Sequence, residues 1–175
     1  MIAAYAKLIH GLVAAQQPKK ILEIGYGTGH AHLAIISACA HAKHMPDYTI
    51  IDPSMPDAIH ESVNANMLTH ITKDRDRNTL NSFTIEHREI GVALGDYISK
   101  EQTFDFIMID DTVEIEDMGL IFANLLSHNG FLIVELDREK DQGLIEICTS
   151  CAKDAEFLVF KHEDGKQGLA VLQAQ

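Results

Sequence analysis

The sequence predicts an α/β fold, a doubly wound sheet of seven strands, mostly parallel, with an antiparallel hairpin at the C-terminus. Three observations predict it. Apolar runs of strand length alternate with helix-period stretches along the 175 residues. The runs from Phe104 to Asp110 and from Phe131 to Val134 are almost continuously apolar, as strands buried on both faces must be. The last two runs, 156–162 and 168–173, are joined by a short turn, and two strands so close must run antiparallel.

The elements follow in order. Residues 3–15 read as a helix, with Ile2, Tyr5, Ile9, Leu12 and Val13 on one apolar face. This segment is no convincing signal peptide, because no basic region leads it and Lys7 and His10 interrupt it. Strand one spans 20–24 and helix 30–41 follows. Strand two spans 48–52. Ser54 then fits an N-cap for a helix over 55–68, with Pro56 in its first turn and Asp57 at its third position. A loop at 73–82 leads to strand three, 83–87, and helix 90–99. Strand four at 104–110, helix 117–127, strand five at 130–135 and helix 142–153 precede the hairpin. No repeat, low-complexity tract or linker breaks this pattern. One domain over residues 1–175 is expected, with residues 1–17 as an N-terminal helix packed on it.

Charge narrows the function. The chain carries 26 acidic against 14 basic residues, a net charge of −12. Such a chain repels polyanions, and the basic residues around Lys73, Arg75 and Arg77 are interleaved with aspartates. Nucleic acid is therefore not the expected partner; a small molecule is. No apolar run approaches the ~20 residues of a membrane helix, so no membrane partner is expected either. Three cysteines, an odd and low number, argue for a reducing, cytoplasmic compartment. Cys148 and Cys151 have C-x-x-C spacing, but with Leu144 and Ala152 they extend an apolar helical stripe and read as core.

The most informative segment follows strand one. It reads Glu23, Ile24, Gly25, Tyr26, Gly27, Thr28, Gly29, and it opens the second helix. Alternate glycines let the backbone turn sharply and approach a ligand closely. The helix behind them points its free N–H groups at the same place. A dinucleotide fingerprint would require a third glycine at position 30, where His30 stands. An acid two residues before G-x-G-x-G, at the end of a first strand, instead resembles motif I of the class I S-adenosylmethionine (SAM)-dependent methyltransferases. The reversed final strand resembles their Rossmann-like sheet, and the likeness spans Ile21 to Leu172. It implies that Gly25, Tyr26, Gly27 and Gly29 wrap the methionine half of SAM, with Glu23 near its amino group.

In an open α/β sheet, ligands bind at the carboxyl ends of the strands. Asp52 closes strand two, where these methyltransferases use an acid to hold both ribose hydroxyls; a turn aspartate before Pro53 is the competing reading. After strand three the stretch 87–91 is similar to the adenine-lining segment of the caffeoyl-CoA and catechol O-methyltransferases. Glu89 then takes the acidic position as an adenine contact, with a surface acid as the competing reading, and Arg88 stands where that pattern has glycine. Asp110 closes strand four, as a cofactor contact and the candidate catalytic residue. Glu135 closes strand five. In the cation-dependent members of this group both positions bind a divalent metal, and hard oxygen ligands suit Mg²⁺ or Ca²⁺.

The chain departs from that pattern at three points. Leu136 replaces an asparagine ligand, Val113 stands where a lysine is common, and about twenty residues precede the first strand, short of the added N-terminal helices that build the acceptor pocket. A divalent metal is therefore not expected, with Asp110 and Glu135 the only candidates for it. The histidines read as solvated, His30 excepted because it adjoins the glycine loop. The leading expectation is SAM-dependent methyl transfer to a small-molecule acceptor, at oxygen. The alternative is a non-catalytic SAM-binding or partner subunit with a degraded acceptor site. A homodimer is admitted by either.

Overall fold

The computed structural model describes residues 3–44, 46–54, 83–110, 118–137, 155–161 and 167–175. The strands are β1 Lys20–Ile24, β2 Asp47–Ile51, β3 Phe83–Glu86, β4 Phe104–Ile109, β5 Leu126–Asp137, β6 Ala155–Lys161 and β7 Gln167–Ala174. The helices among the described residues are α1 Ala3–Gln16, α2 His30–Ala42, α3 Ile90–Ser99 and α4 Met118–Leu125. The strands form one sheet in the order β3-β2-β1-β4-β5-β7-β6. The first five of these run parallel. β7 is antiparallel to both β5 and β6 and lies between them. The expected α/β class, mostly parallel sheet and reversed final strand are all present.

Strand alternation divides the core into two layers. Ile21, Ile50, Phe106, Met108 and Ile133 meet α1 and α2 on one face, through Ile9, Val13, Ile35 and Cys39. Leu22, Ile24, Ile107, Leu132 and Val134 meet α3 and α4 on the other, through Leu94, Tyr97, Ile121 and Leu125. Full burial of one such side chain stabilises the fold by about 1.5–3 kcal/mol over leaving it exposed. The apolar face expected of the first helix is the buried one: Tyr5, Ile9 and Val13 are buried, and Ile2 lies outside the described residues. Burial pushes the Cys39 thiol up to about 12, which keeps it protonated and inert.

One boundary differs. α4 ends at Leu125, and β5 begins at Leu126 rather than at residue 130. Leu126 pairs with Phe104, yet Phe106 pairs with Phe131, so β5 bulges between them. Asn129 takes a left-handed turn there, at φ 61°. A side chain on the next residue, Gly130, would meet the Ser127 carbonyl oxygen at 2.8 Å. Burial of Leu126 beside Phe104 overrides the local helical pattern. The expected helices 55–68 and 142–153, the loop 73–82, and Cys148 and Cys151 lie outside the described residues.

Strand order reverses between β1 and β4. In an open α/β sheet such a switch point leaves a crevice at the carboxyl ends of the two strands, where ligands bind.

Candidate functional site

The glycine loop leaves β1 at this crevice and is fastened to both neighbouring strands. The Gly25 N–H donates to the Ile51 carbonyl at 2.8 Å, and the Asp110 N–H donates to the Ile24 carbonyl at 3.0 Å. The Tyr26 N–H donates to Asp52 Oδ2 at 2.9 Å. Gly27 and Gly29 have φ of 50° and 74°, in the left-handed region that costs other residues about 1–2 kcal/mol. Space is as restrictive as conformation. A Cβ on Gly27 would run into the Asp110 carboxylate, with its Cγ at 2.6 Å, and one on Gly29 would meet the Tyr26 hydroxyl at 2.5 Å. Gly29 caps α2 with no side-chain bond, so the first-turn N–H groups of that helix stay available at the loop.

Glu23 lies under this loop, 1% exposed. Its Oε2 accepts from the Tyr48 hydroxyl, and His32 Nδ1 is 3.4 Å from the same oxygen. His32 Nδ1 is also 2.9 Å from the Tyr48 hydroxyl. Burial, then the Glu23 carboxylate, push the Tyr48 phenol well above its ordinary value, so it keeps its one proton and donates it to Glu23. His32 must then donate from Nδ1. Glu23 Oε1 and His32 Nε2 are buried with no hydrogen-bond partner among the described residues. The His32 ring is packed against Tyr26, Tyr48 and Phe83.

His32 is thus fully buried, which corrects its reading as a solvated histidine. The signal was present in the sequence. Ile35, Ile36 and Cys39, three, four and seven residues on, extend one buried stripe from His32. His30 is exposed beside the loop, with Nδ1 2.6 Å from Thr28 Oγ1. Tyr48 gave no local signal, because its partner is 25 residues away.

Asp52 is 8% exposed. Its Oδ2 holds the glycine loop through Tyr26, and its Oδ1 accepts from the Ser54 N–H at 2.8 Å and the Ser54 hydroxyl at 2.9 Å. The turn role weighed for this residue is therefore real, and it places the carboxylate directly beside the loop.

Asp110 and Glu135 end up side by side, because Ile109 pairs with Val134 in the β4–β5 register. Both carboxyls are 5% exposed. Burial, with the hydrogen-bonded Asp110 carboxylate adding to it, pushes Glu135 up to about 8. Leu136 faces the opposite way, into the apolar layer with α3 and α4. Among the described residues no three His, Cys, Asp or Glu side chains are grouped to hold a metal ion.

Glu89 is exposed at the N-terminus of α3 and caps it only through its backbone. Its neighbour Arg88 is tied down. Its Nε and Nη2 donate to Glu86 Oε2 at 2.9 and 2.6 Å, and its Nη1 donates to Asp96 at 3.1 Å. Tyr97 donates to the other Glu86 oxygen at 2.7 Å. Glu23, Gly25, Tyr26, Gly27, Gly29, Asp52 and Asp110 therefore gather at the carboxyl ends of β1, β2 and β4, while Glu89 lies at the head of α3, three residues beyond the end of β3 at Glu86.

No family model matches the sequence, and no curated protein matches it either. Solved structures do. The O-methyltransferase TomG of Streptomyces achromogenes, involved in tomaymycin synthesis and solved with SAM, has a TM-score of 0.66 at 17% identity, over 100% of this chain and 81% of TomG. The chain shares the fold of this enzyme. The Bacillus cereus O-methyltransferase, solved with S-adenosylhomocysteine (SAH), has the same fold, with a TM-score of 0.65 at 16% identity over 100% of this chain and 82% of its own. A Geobacter sulfurreducens methyltransferase has a TM-score of 0.63 at 16% identity, over 97% and 78%.

Proposed function

We propose that the chain is a SAM-dependent methyltransferase that transfers methyl to oxygen on a small-molecule acceptor, with residues 1–175 acting as a single unit. The observation that carries this is the loop of left-handed glycines at the β1–β4 switch point, flanked by the carboxylates of Asp52 and Asp110. The fold shared with O-methyltransferases supports it. The residues fit the cofactor: Gly27 and Gly29 bring bare backbone against the Asp110 carboxylate and the Tyr26 ring, where no larger side chain has room, and Glu23 offers a buried carboxylate oxygen beneath the loop.

Bound SAM supplies an electrophilic methyl group on sulfur. The chain's own task is positioning and proton management. Gly25, Tyr26, Gly27 and Gly29 shape the cradle for the methionine half, with Glu23 beneath it. Asp52 sits where ribose hydroxyls would be held, and Glu89 is the adenine-side acid. Asp110 borders both the loop and Glu135, and we assign it the catalytic position beside the acceptor. The reading takes no divalent metal. An ion on Asp110 and Glu135 would need four or more further oxygen ligands, and the next position, Leu136, is committed to the core.

The net charge of −12 supports a small molecule over nucleic acid. Among the described residues no helix is long and apolar enough to cross a membrane. The odd cysteine count and the buried free Cys39 support a reducing, cytoplasmic setting. A homodimer is compatible with the reading, and sedimentation would test it. Calorimetry tests the core of the proposal: SAH binds and NAD does not. Binding of NAD with no response to SAH would overturn it. Methyl transfer from labelled SAM to a panel of phenols then separates the enzyme from a non-catalytic SAM binder.

A further inference from the structure

We propose that Tyr48 and His32 are positioning residues, which hold one oxygen of Glu23 so that the other receives the ammonium group of the cofactor's methionine half. This rests on the reading of the crevice as a SAM site. Tyr48 donates directly to Glu23 Oε2, and His32 Nδ1 donates to the Tyr48 hydroxyl at 2.9 Å from a place 3.4 Å from the same carboxylate oxygen. Glu23 Oε1 is left buried with no hydrogen-bond partner among the described residues. A purely structural network would place one donor on each oxygen, because a buried carboxylate oxygen without a donor is costly. The arrangement makes sense when a third donor arrives from outside the chain.

The hold is rigid. Glu23 comes from β1, Tyr48 from β2 and His32 from α2, and all three are buried. Tyr26 brings the network to the glycine loop. Its ring centroid lies 5.4 Å from that of His32, and Glu23 adds to burial in raising its phenol pKa. Its hydroxyl fills the space over Gly29 that a side chain there would take.

The test compares two ligands that differ only in the amino-acid end. SAH carries the ammonium group; 5′-methylthioadenosine keeps the adenosine and the thioether and lacks it. By calorimetry, Tyr48→Phe should weaken SAH binding by about tenfold or more and leave methylthioadenosine within about twofold. Should Tyr48→Phe fail to fold, His32→Leu carries the same comparison, and His32→Asn, which restores a donor near the Nδ1 position, should recover SAH affinity. An equal loss for both ligands would mark a merely structural role and overturn the inference, as would unchanged SAH affinity. A wild-type protein that binds neither ligand would overturn the SAM reading itself, and this inference with it.

Discussion

Gly27 and the Asp110 carboxylate occupy one small volume, so a side chain at position 27 does two things. It drives Asp110 from its place and, on the proposed reading, it blocks ligand space. Gly27→Val is expected to abolish SAH binding and also to lower Tm, since the left-handed backbone alone costs about 1–2 kcal/mol. Unchanged SAH affinity by calorimetry would refute the site assignment. Asp52 also has two roles. Asp52→Ala removes three hydrogen bonds within the chain and, on the proposed reading, two more to ribose, each of about 1.5–3 kcal/mol when charge-assisted. A SAH affinity loss below about threefold, with lowered stability, would leave Asp52 as a turn residue alone. The glycines and strand-end acids were legible in the sequence because their signal is local: a spacing, a strand end, a helix start. The partnership of Glu23 with Tyr48 and His32 was not, because it is made across two strands and a helix.

At the scale of elements, the adjoining ends of β4 and β5 create the most sensitive pair of charges. Burial first, and the Asp110 carboxylate in addition, push Glu135 from 4.5 up to about 8. Folded Glu135 therefore keeps a proton that the unfolded chain has released. The folded state binds more protons between these values, so this group's contribution to stability falls as pH rises from about 4.5 to about 8. Glu135→Gln cannot ionise. Its Tm is expected to match wild type near pH 4 and to exceed it by about 2–4 °C or more near pH 9. Equal Tm differences at both pH values would contradict this. The clamp that Arg88 makes between Glu86 and Asp96 ties the end of β3 to α3. Arg88 is partly exposed, so Arg88→Ala is expected to lower the urea midpoint only slightly, and less at high salt. Element boundaries were legible where strands are buried on both faces, as β4 is. They failed at Leu126, where a residue inside a helical pattern is drawn into the sheet by its contact with Phe104.

For the molecule as a whole, the sheet order sets what the chain can do. The switch point between β1 and β4 gathers Glu23, the glycine loop, Asp52 and Asp110 from segments nearly 90 residues apart in sequence. Treatment with EDTA is expected to leave methyl transfer largely intact, since the two carboxylates alone make a poor site for Mg²⁺ or Ca²⁺. Loss of activity in EDTA, restored by Mg²⁺, would move the protein to the cation-dependent group. The antiparallel pairing of β6 and β7 was readable from the short turn between them, because two strands so close in sequence have one way to pair, whereas the order of the other strands was not, because it is set by long crossover connections.

The place of β7 has a consequence for how the protein is made. β7 follows every other strand in the chain, yet it is the interior strand that joins β6 to β5. As the chain leaves the ribosome, β6 emerges with no partner at all, and β5 keeps one edge open until residues 167–174 appear. Those open edges are templates for pairing with another nascent chain. A stop placed before Gln167 should therefore yield aggregate rather than a slightly shortened soluble protein, and arrested nascent chains should gain protease resistance only after Ala174 has cleared the exit tunnel.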